Sequence, residues 1–292
     1  MARKPKLIIA TGTKGVGKTH TTLEIINDYI IPKFLAGGEL KRAARKVLIF
    51  DVNMEYTPDE IALKSESNVR EGGQPFNFKA LTLDIKDLAA YTKQHRVEVR
   101  RILPIDENGK LLGIEGMLKM LYIILETFRG GMLLLEDFNA YMVGTSSLEI
   151  ISSITRNRHR DLDIYIHVQS LSPISPRMWQ NCTEVRFHKQ TDPVKRVLRK
   201  VSSETAFLIA ETLVNMVYAY NNRFYVYVDN EYCKIRGDFD KGTYQLACYN
   251  FIQDNPRLIS AAQQRFEKDV DKRDKAIKHC IRDYMKYYGN PN

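Results

Sequence analysis

Gly12-Thr13-Lys14-Gly15-Val16-Gly17-Lys18-Thr19 fits the spacing G-x-x-x-x-G-K-[ST] at each fixed position. Ahead of it, Leu7-Ile8-Ile9-Ala10 is a short apolar run of the kind a buried strand makes. Behind it, Leu23, Ile26 and Ile30 recur at helical spacing. Strand, glycine turn and helix start together make a phosphate cradle. The glycines let backbone N–H groups converge, the helix start adds partial positive charge, and Lys18 adds a full one. Thr19 would set its hydroxyl on a Mg²⁺ ion beside the terminal phosphates. A nucleotide would thus be contacted by Gly12, Thr13, Lys14, Gly15, Val16, Gly17, Lys18, Thr19 and His20. A glycine turn that binds nothing is the alternative, and the flanking pattern argues against it.

The chain has 292 residues, enough for one large domain or one domain with an appendage. Its 44% hydrophobic and 27% charged content is that of an ordinary globular protein. The net charge of +9 suggests a polyanionic partner, nucleic acid or an anionic surface, unless the excess only keeps the chain in solution. Cys182, Cys233, Cys248 and Cys280 form no C-x-x-C pair, so neither a structural zinc site nor a disulfide framework is expected. The apolar run behind basic Arg3, Lys4 and Lys6 ends at Gly12, too soon for a secretory leader. No stretch is long enough to span a membrane. A soluble, cytoplasmic protein is expected.

Further along, Gly37-Gly38 and Lys41–Lys46 read as a solvated basic connector. Val47-Leu48-Ile49-Phe50 reads as a strand buried on both faces. It runs into Asp51-Val52-Asn53-Met54-Glu55-Tyr56, acids beyond a strand end, where open α/β sheets bind ligands. Residues 57–77, with Gly72-Gly73 and Pro75, look irregular. Phe78–Leu83 and Val97–Leu103 suggest strands, Ile85–Gln94 a helix, and Ile114–Phe128 a strong amphipathic helix.

Met132-Leu133-Leu134-Leu135 ends in Glu136-Asp137, a buried strand finishing in two acids. With the glycine loop upstream this reads as a Walker B element. One carboxylate, Glu136, would hold Mg²⁺ and the other would orient and deprotonate the attacking water, and the two roles could be exchanged. Leu148–Ile154 continues as a helix into Arg156-Asn157-Arg158-His159-Arg160. Ile164–Val168 is the next buried strand, ending in Gln169-Ser170, where an amide could reach the γ-phosphate or the water. Val185-Arg186-Phe187 suggests one more strand. Glu204–Ala219 reads as a helix, and Phe224–Val228 with Tyr232–Ile235 as a hairpin around Asp229-Asn230-Glu231. Residues 257–288 form a charged helical tail with nine Lys or Arg against five Asp or Glu.

Taken together these motifs resemble the FtsK–HerA group of P-loop DNA-pumping ATPases, which includes viral packaging motors and the Zot-like proteins of phages. The matches are Gly12–Thr19, the Asp51…Glu55-Tyr56 run, Leu133–Asp137 and Val168-Gln169-Ser170, covering roughly residues 5–190. Two departures stand out. Met54 sits where the group carries glycine, and the acidic pair reads Glu-Asp rather than Asp-Glu. The resemblance implies an α/β fold of the additional-strand, RecA-like type. In it a mostly parallel sheet sets the Gln169 strand between the strands bearing the two Walker motifs. It also implies a homo-hexameric ring whose sites are completed by a neighbour's arginine, with Arg156, Arg158, Arg160 and Arg186 as candidates. The ParA–MinD partition ATPases are the rival, but their extra lysine falls one place earlier than Lys14.

The expected organisation is an ATPase core over 1–200, a helix and β-hairpin appendage over 201–250 and a charged helical tail over 251–292. The expected activity is Mg²⁺-dependent ATP hydrolysis, stimulated by DNA, that moves DNA without regard to sequence. Lys18, Glu136, Asp137, Gln169 and an arginine in trans would carry it. Implied partners are DNA, further copies of the chain, and capsid or portal proteins, with a location in the cytoplasm or at the packaging vertex of a virion. The alternative is a partition-type or scaffolding ATPase that switches assembly without translocation.

Overall fold

The computed structural model describes residues 4–142, 148–172, 174–197 and 203–290. Its strands in chain order are β1 Leu7–Thr11, β2 Lys33–Phe34, β3 Leu40–Arg42, β4 Lys46–Phe50, β5 Ala80–Thr82, β6 Val99–Ile102, β7 Gly131–Leu135, β8 Asp163–Val168, β9 Glu184–His188, β10 Tyr225–Asp229, β11 Ile235–Gly237 and β12 Gly289–Asn290. Its α-helices are α1 Lys18–Tyr29, α2 Pro58–Arg70, α3 Leu88–Lys93, α4 Ile114–Thr127, α5 Leu148–Thr155, α6 Pro176–Asn181, α7 Glu204–Tyr218, α8 Lys241–Gln253, α9 Pro256–Gln263 and α10 Lys272–Tyr287. The chain divides into two compact units, residues 4–9 with 17–169 and residues 10–16 with 170–290. The expected boundary at 200/201 lies outside the described residues.

The first unit is α/β. Its strands run in the order β5-β6-β4-β7-β8-β1, with parallel registers from β5 through β8. The strand leading to Gln169 therefore lies between the glycine-loop strand and the strand of the acidic pair, as the family resemblance implied. Strands β1, β4 and β7 are buried at every residue, which explains their continuous apolar runs: helices cover both faces of a parallel sheet. Leu23 and Ile26 of α1 and Ile61 of α2 pack with Val47, Ile49, Met132 and Leu134 in one cluster.

Two local expectations are corrected. Residues 57–77 are not irregular throughout, because α2 occupies Pro58–Arg70. Thr57 caps it by accepting from Glu60 N at 3.1 Å, with proline at the first position and Asp59 and Glu60 in the first turn. Nor is the 41–46 stretch wholly a connector. Leu40–Arg42 pairs antiparallel with Lys33–Phe34, and Lys46 opens β4 with its buried ammonium donating to the carbonyls of Tyr91 and Thr92 at 2.8 Å.

In the second unit β9 and β10 pair antiparallel, as do β10 and β11, and β12 runs parallel to β11. Val226 and Val228 are buried while Tyr225 and Tyr227 alternate with them, the period-2 pattern of a half-covered sheet. The hairpin return starts at Ile235, later than the Tyr232 expected from sequence. Asp229 Oδ1 accepts from the amides of Glu231 and Tyr232, and Cys233 turns left-handed at φ +56°. The expected long helix is α7, and the tail is α9 and α10 joined by a single-turn helix. None of the four cysteines is joined in a disulfide. Among the described residues no helix is long and apolar enough to cross a membrane.

Candidate nucleotide site

The loop after β1 is shaped by two glycines, one needed for space and one favoured by its backbone conformation. A Cβ on Gly12 would come within 2.7 Å of His188 Cβ and 2.9 Å of Val16 Cγ2. Gly17 stands before α1 at φ +82° and accepts the Thr21 amide at 2.9 Å, a left-handed position that disfavours any side chain. The loop is also tied down by polar bonds: Thr13 N donates to Lys189 O at 2.9 Å, and His188 Nδ1 lies 3.1 Å from Val16 O. Lys14 and Gly15 are exposed at its tip, and Val16 is buried.

At the start of α1, Lys18 and Thr19 are half-buried. Thr19 Oγ1 donates to Glu55 Oε2 at 2.7 Å. Thr22 Oγ1 donates to Lys18 O at 2.8 Å and lies 2.8 Å from His167 Nε2. His20 is directed to Asn68 Oδ1 at 3.0 Å and packs edge-on against Phe76.

The acids come from two adjacent strand ends. Asp51 follows β4 and is fully buried, paired with Arg101 Nη1 at 3.0 Å. Full burial pushes its carboxyl up, against the pull of Arg101 and of two backbone amides. Glu136 follows β7 and is 6% exposed. Burial, reinforced by the charges of Glu55, Asp137 and Asp51, pushes its carboxyl up to about 8, with Lys18 pulling the other way. Asp137 is left-handed at φ +41° and its Oδ1 accepts from Gln169 Nε2 at 3.2 Å. Asn53 Nδ2 reaches both acids, 2.9 Å from Glu136 Oε2 and 3.2 Å from Asp137 Oδ2.

Lys18, Thr19, Glu136, Asp137 and Gln169 are thus gathered in one unit: Lys18 interacts with Glu136 and Gln169 bonds Asp137 directly, while Asn53 bridges the two acids and Glu55 takes the Thr19 hydroxyl. Sequence reading had not singled out Asn53 or Arg101. Asn53 lies within the acidic run after β4, but nothing local marks it as a bridge to residues more than 80 positions away. The donors gathered around Thr19 and Glu136 are oxygens, the ligand type Mg²⁺ takes. A divalent cation there would offset the charges of Glu55, Asp137 and Asp51, which add to the larger effect of burial on Glu136. Among the described residues no three His, Cys, Asp or Glu could hold a metal unaided, so phosphate oxygens and water would have to complete its shell.

The arginine candidates divide. Arg186 is fully buried, stacked over Tyr225 and hydrogen-bonded to Tyr227. Arg160 is buried and bonded to Glu126 and to Leu125 O. Both guanidinium groups are thus engaged by side chains or carbonyls of their own unit. Arg156 is exposed and paired with Glu126 at 3.4 Å, and Arg158 is exposed.

No protein-family model and no curated protein sequence matches this one. Among solved structures, the genome packaging NTPase B204 from Sulfolobus turreted icosahedral virus 2, in complex with ATP-gammaS, is similar at 12% identity over 80% of this chain and 97% of that one, with a TM-score of 0.48. The N-terminal domain of zonular occludens toxin from Neisseria meningitidis is similar at 11% identity over 63% and 76%, with a TM-score of 0.32. The Legionella pneumophila ATPase DotB follows at 13% identity over 64% and 42%, with a TM-score of 0.34. With β8 lodged between β1 and β7, and the glycine loop leading straight into α1, the chain has the P-loop NTPase fold of the additional-strand type.

Proposed function

We propose that this protein hydrolyses ATP and uses the energy to move DNA, as a genome-packaging or assembly motor of a virus. The observation that carries the reading is the strand order. It sets a polar strand tip, Gln169, against the acidic pair, where Gln169 Nε2 holds Asp137 Oδ1 at 3.2 Å. A mere nucleotide holder has no need of a second polar group beside the acid that would direct water. In the proposed reaction Lys18 would face the β- and γ-phosphates, and Thr19 and Glu136 would hold Mg²⁺. The ion would neutralise charge on the phosphate oxygens. Asp137, steadied by Gln169, orients a water and takes its proton as the water oxygen bonds to the γ-phosphorus. The bond to the bridging oxygen breaks, and ADP and phosphate leave.

The DNA partner is supported by the net charge of +9 and by the excess of cations over residues 257–288. Phosphate contacts grip any sequence, and counterion release makes the grip weaken with salt. A homo-hexameric ring would bring Arg158 of one subunit to the nucleotide of the next. Capsid or portal proteins would be its docking partners, in the cytoplasm and at the packaging vertex. The test is ATP hydrolysis measured with and without duplex DNA over a salt series. We expect stimulation by DNA that fades as a power of salt concentration. In mixed assemblies, an Arg158→Ala subunit and a Lys18→Ala subunit should partly restore each other's turnover. No DNA binding even at low salt would reject the motor and leave a nucleotide-dependent assembly switch.

A further inference from the structure

The turn after β4 reaches two parts of the site at once. Its root is Asp51, whose carboxylate accepts from Arg101 Nη1 at 3.0 Å, Glu55 N at 3.0 Å and Tyr56 N at 3.2 Å. The Asp51 amide in turn donates to Ile102 O at 3.1 Å. β6, in parallel register with β4, therefore grips the turn by a side chain and by its backbone. Between Asp51 and Glu55 the chain reverses, and Met54 makes the reversal at φ +57°. This left-handed conformation is one that glycine would adopt without cost, and it is the position where the resembling group carries glycine. The outcome is two arms. Glu55 accepts from the Thr19 hydroxyl, and Asn53 donates to Glu136 and to Asp137.

We infer that Asn53 is a positioning residue for hydrolysis, held in place by Arg101 through Asp51. The two acid side chains are adjacent, and one neutral amide that donates to both fixes their spacing without adding charge. Glu55 fixes the Thr19 hydroxyl from the same turn, so the metal-holding and water-directing groups share one frame. The inference rests on the hydrolytic reading above, because positioning is measured by what it does to turnover. Misplacing a reacting group by about 1 Å costs on the order of 10²-fold in rate.

The experiment compares Asn53→Ala and Asn53→Gln with the full wild-type chain. It reads kcat and KM for ATP, the affinity of a non-hydrolysable ATP analogue with and without Mg²⁺, and the melting temperature. Asn53 is exposed, so folding should be unaffected. We expect Asn53→Ala to lower kcat by about 10²-fold with KM unchanged. Its analogue affinity without Mg²⁺ should equal that of wild type, while the gain in affinity on adding Mg²⁺ shrinks because Glu136 is no longer held. Asn53→Gln, which keeps the amide, should recover part of both. In an Asp137→Asn background the Asn53→Ala change should cost little more, since coupled residues are not additive. A kcat within about threefold of wild type, or a loss in KM that matches the loss in kcat, overturns the inference. A wild-type chain that binds the analogue but hydrolyses nothing sinks the hydrolytic reading instead. In that case the Mg²⁺-dependent gain decides the role of Asn53 alone: an unchanged gain in Asn53→Ala overturns it.

Discussion

Two neighbouring strands of the same sheet end in buried carboxylates, and they treat them in opposite ways. Beyond β4, Asp51 is matched by the Arg101 guanidinium and two backbone amides. Beyond β7, Glu136 faces Glu55, Asp137 and Asp51, with Lys18 as the opposing charge and an Asn53 amide as its hydrogen-bond donor. The first is a completed ion pair that shapes a turn. The second is a buried acid held at a cost, and a site left in that state is where a cation and phosphates would be bound. Burial alone does not separate a structural carboxylate from a functional one. What surrounds each does.

The comparison fails outright if Lys18 is dispensable. Lys18→Ala removes the charge that would face the β- and γ-phosphates, and hydrolysis should be abolished and nucleotide affinity weakened. Turnover near wild type would remove nucleotide chemistry from the β7 end altogether. Next in size, Asp137→Asn should bind ATP with Mg²⁺ yet hydrolyse it roughly 10²–10⁴-fold more slowly. Single-turnover assays can separate that loss from binding. If Glu136→Gln shows this behaviour and Asp137→Asn instead weakens the Mg²⁺ dependence, the two acids exchange roles while the site stands.

The same chemical change, carboxylate to amide, should have opposite effects on stability at the two strand ends. Asp51→Asn leaves Arg101 buried beside a neutral group and should destabilise the protein by about 3 kcal/mol, read by denaturant unfolding. Glu136→Gln should raise the melting temperature of the protein without nucleotide or Mg²⁺ by a few degrees. The sign follows from linkage. The folded value of about 8 lies above the ordinary 4.5, so the folded chain holds a proton that the unfolded chain has released. This group's contribution to stability is full below pH 4.5 and is lost as pH rises towards 8. The advantage of Glu136→Gln over wild type should therefore be absent near pH 4, grow through neutrality and level off above pH 8. Equal and like-signed effects of the two substitutions would erase the distinction drawn here.

Much of this was legible because it is local. The glycine loop needs a strand before it and a helix after it within about 20 residues, and both signatures lie in the adjacent sequence. Buried parallel strands are mostly apolar, so Val47–Phe50 of β4, Met132–Leu135 of β7 and, with His167 among them, Ile164–Val168 of β8 announce themselves, and the acids and the glutamine follow at their ends. The helix α2 was legible too, through Thr57-Pro58-Asp59-Glu60, but the glycines and proline at 72–75 masked it. What only the tertiary structure decided involves partners far apart in the chain. Arg101 meets Asp51 across 50 residues, and Asn53 meets Glu136 across 83, because β6, β4 and β7 lie side by side in an order that no local pattern encodes. Arg158 and Arg186 look alike as sequence. One lies on an exposed turn and the other beneath tyrosines, because an arginine's burial is set by everything packed around it and not by its neighbours in the chain.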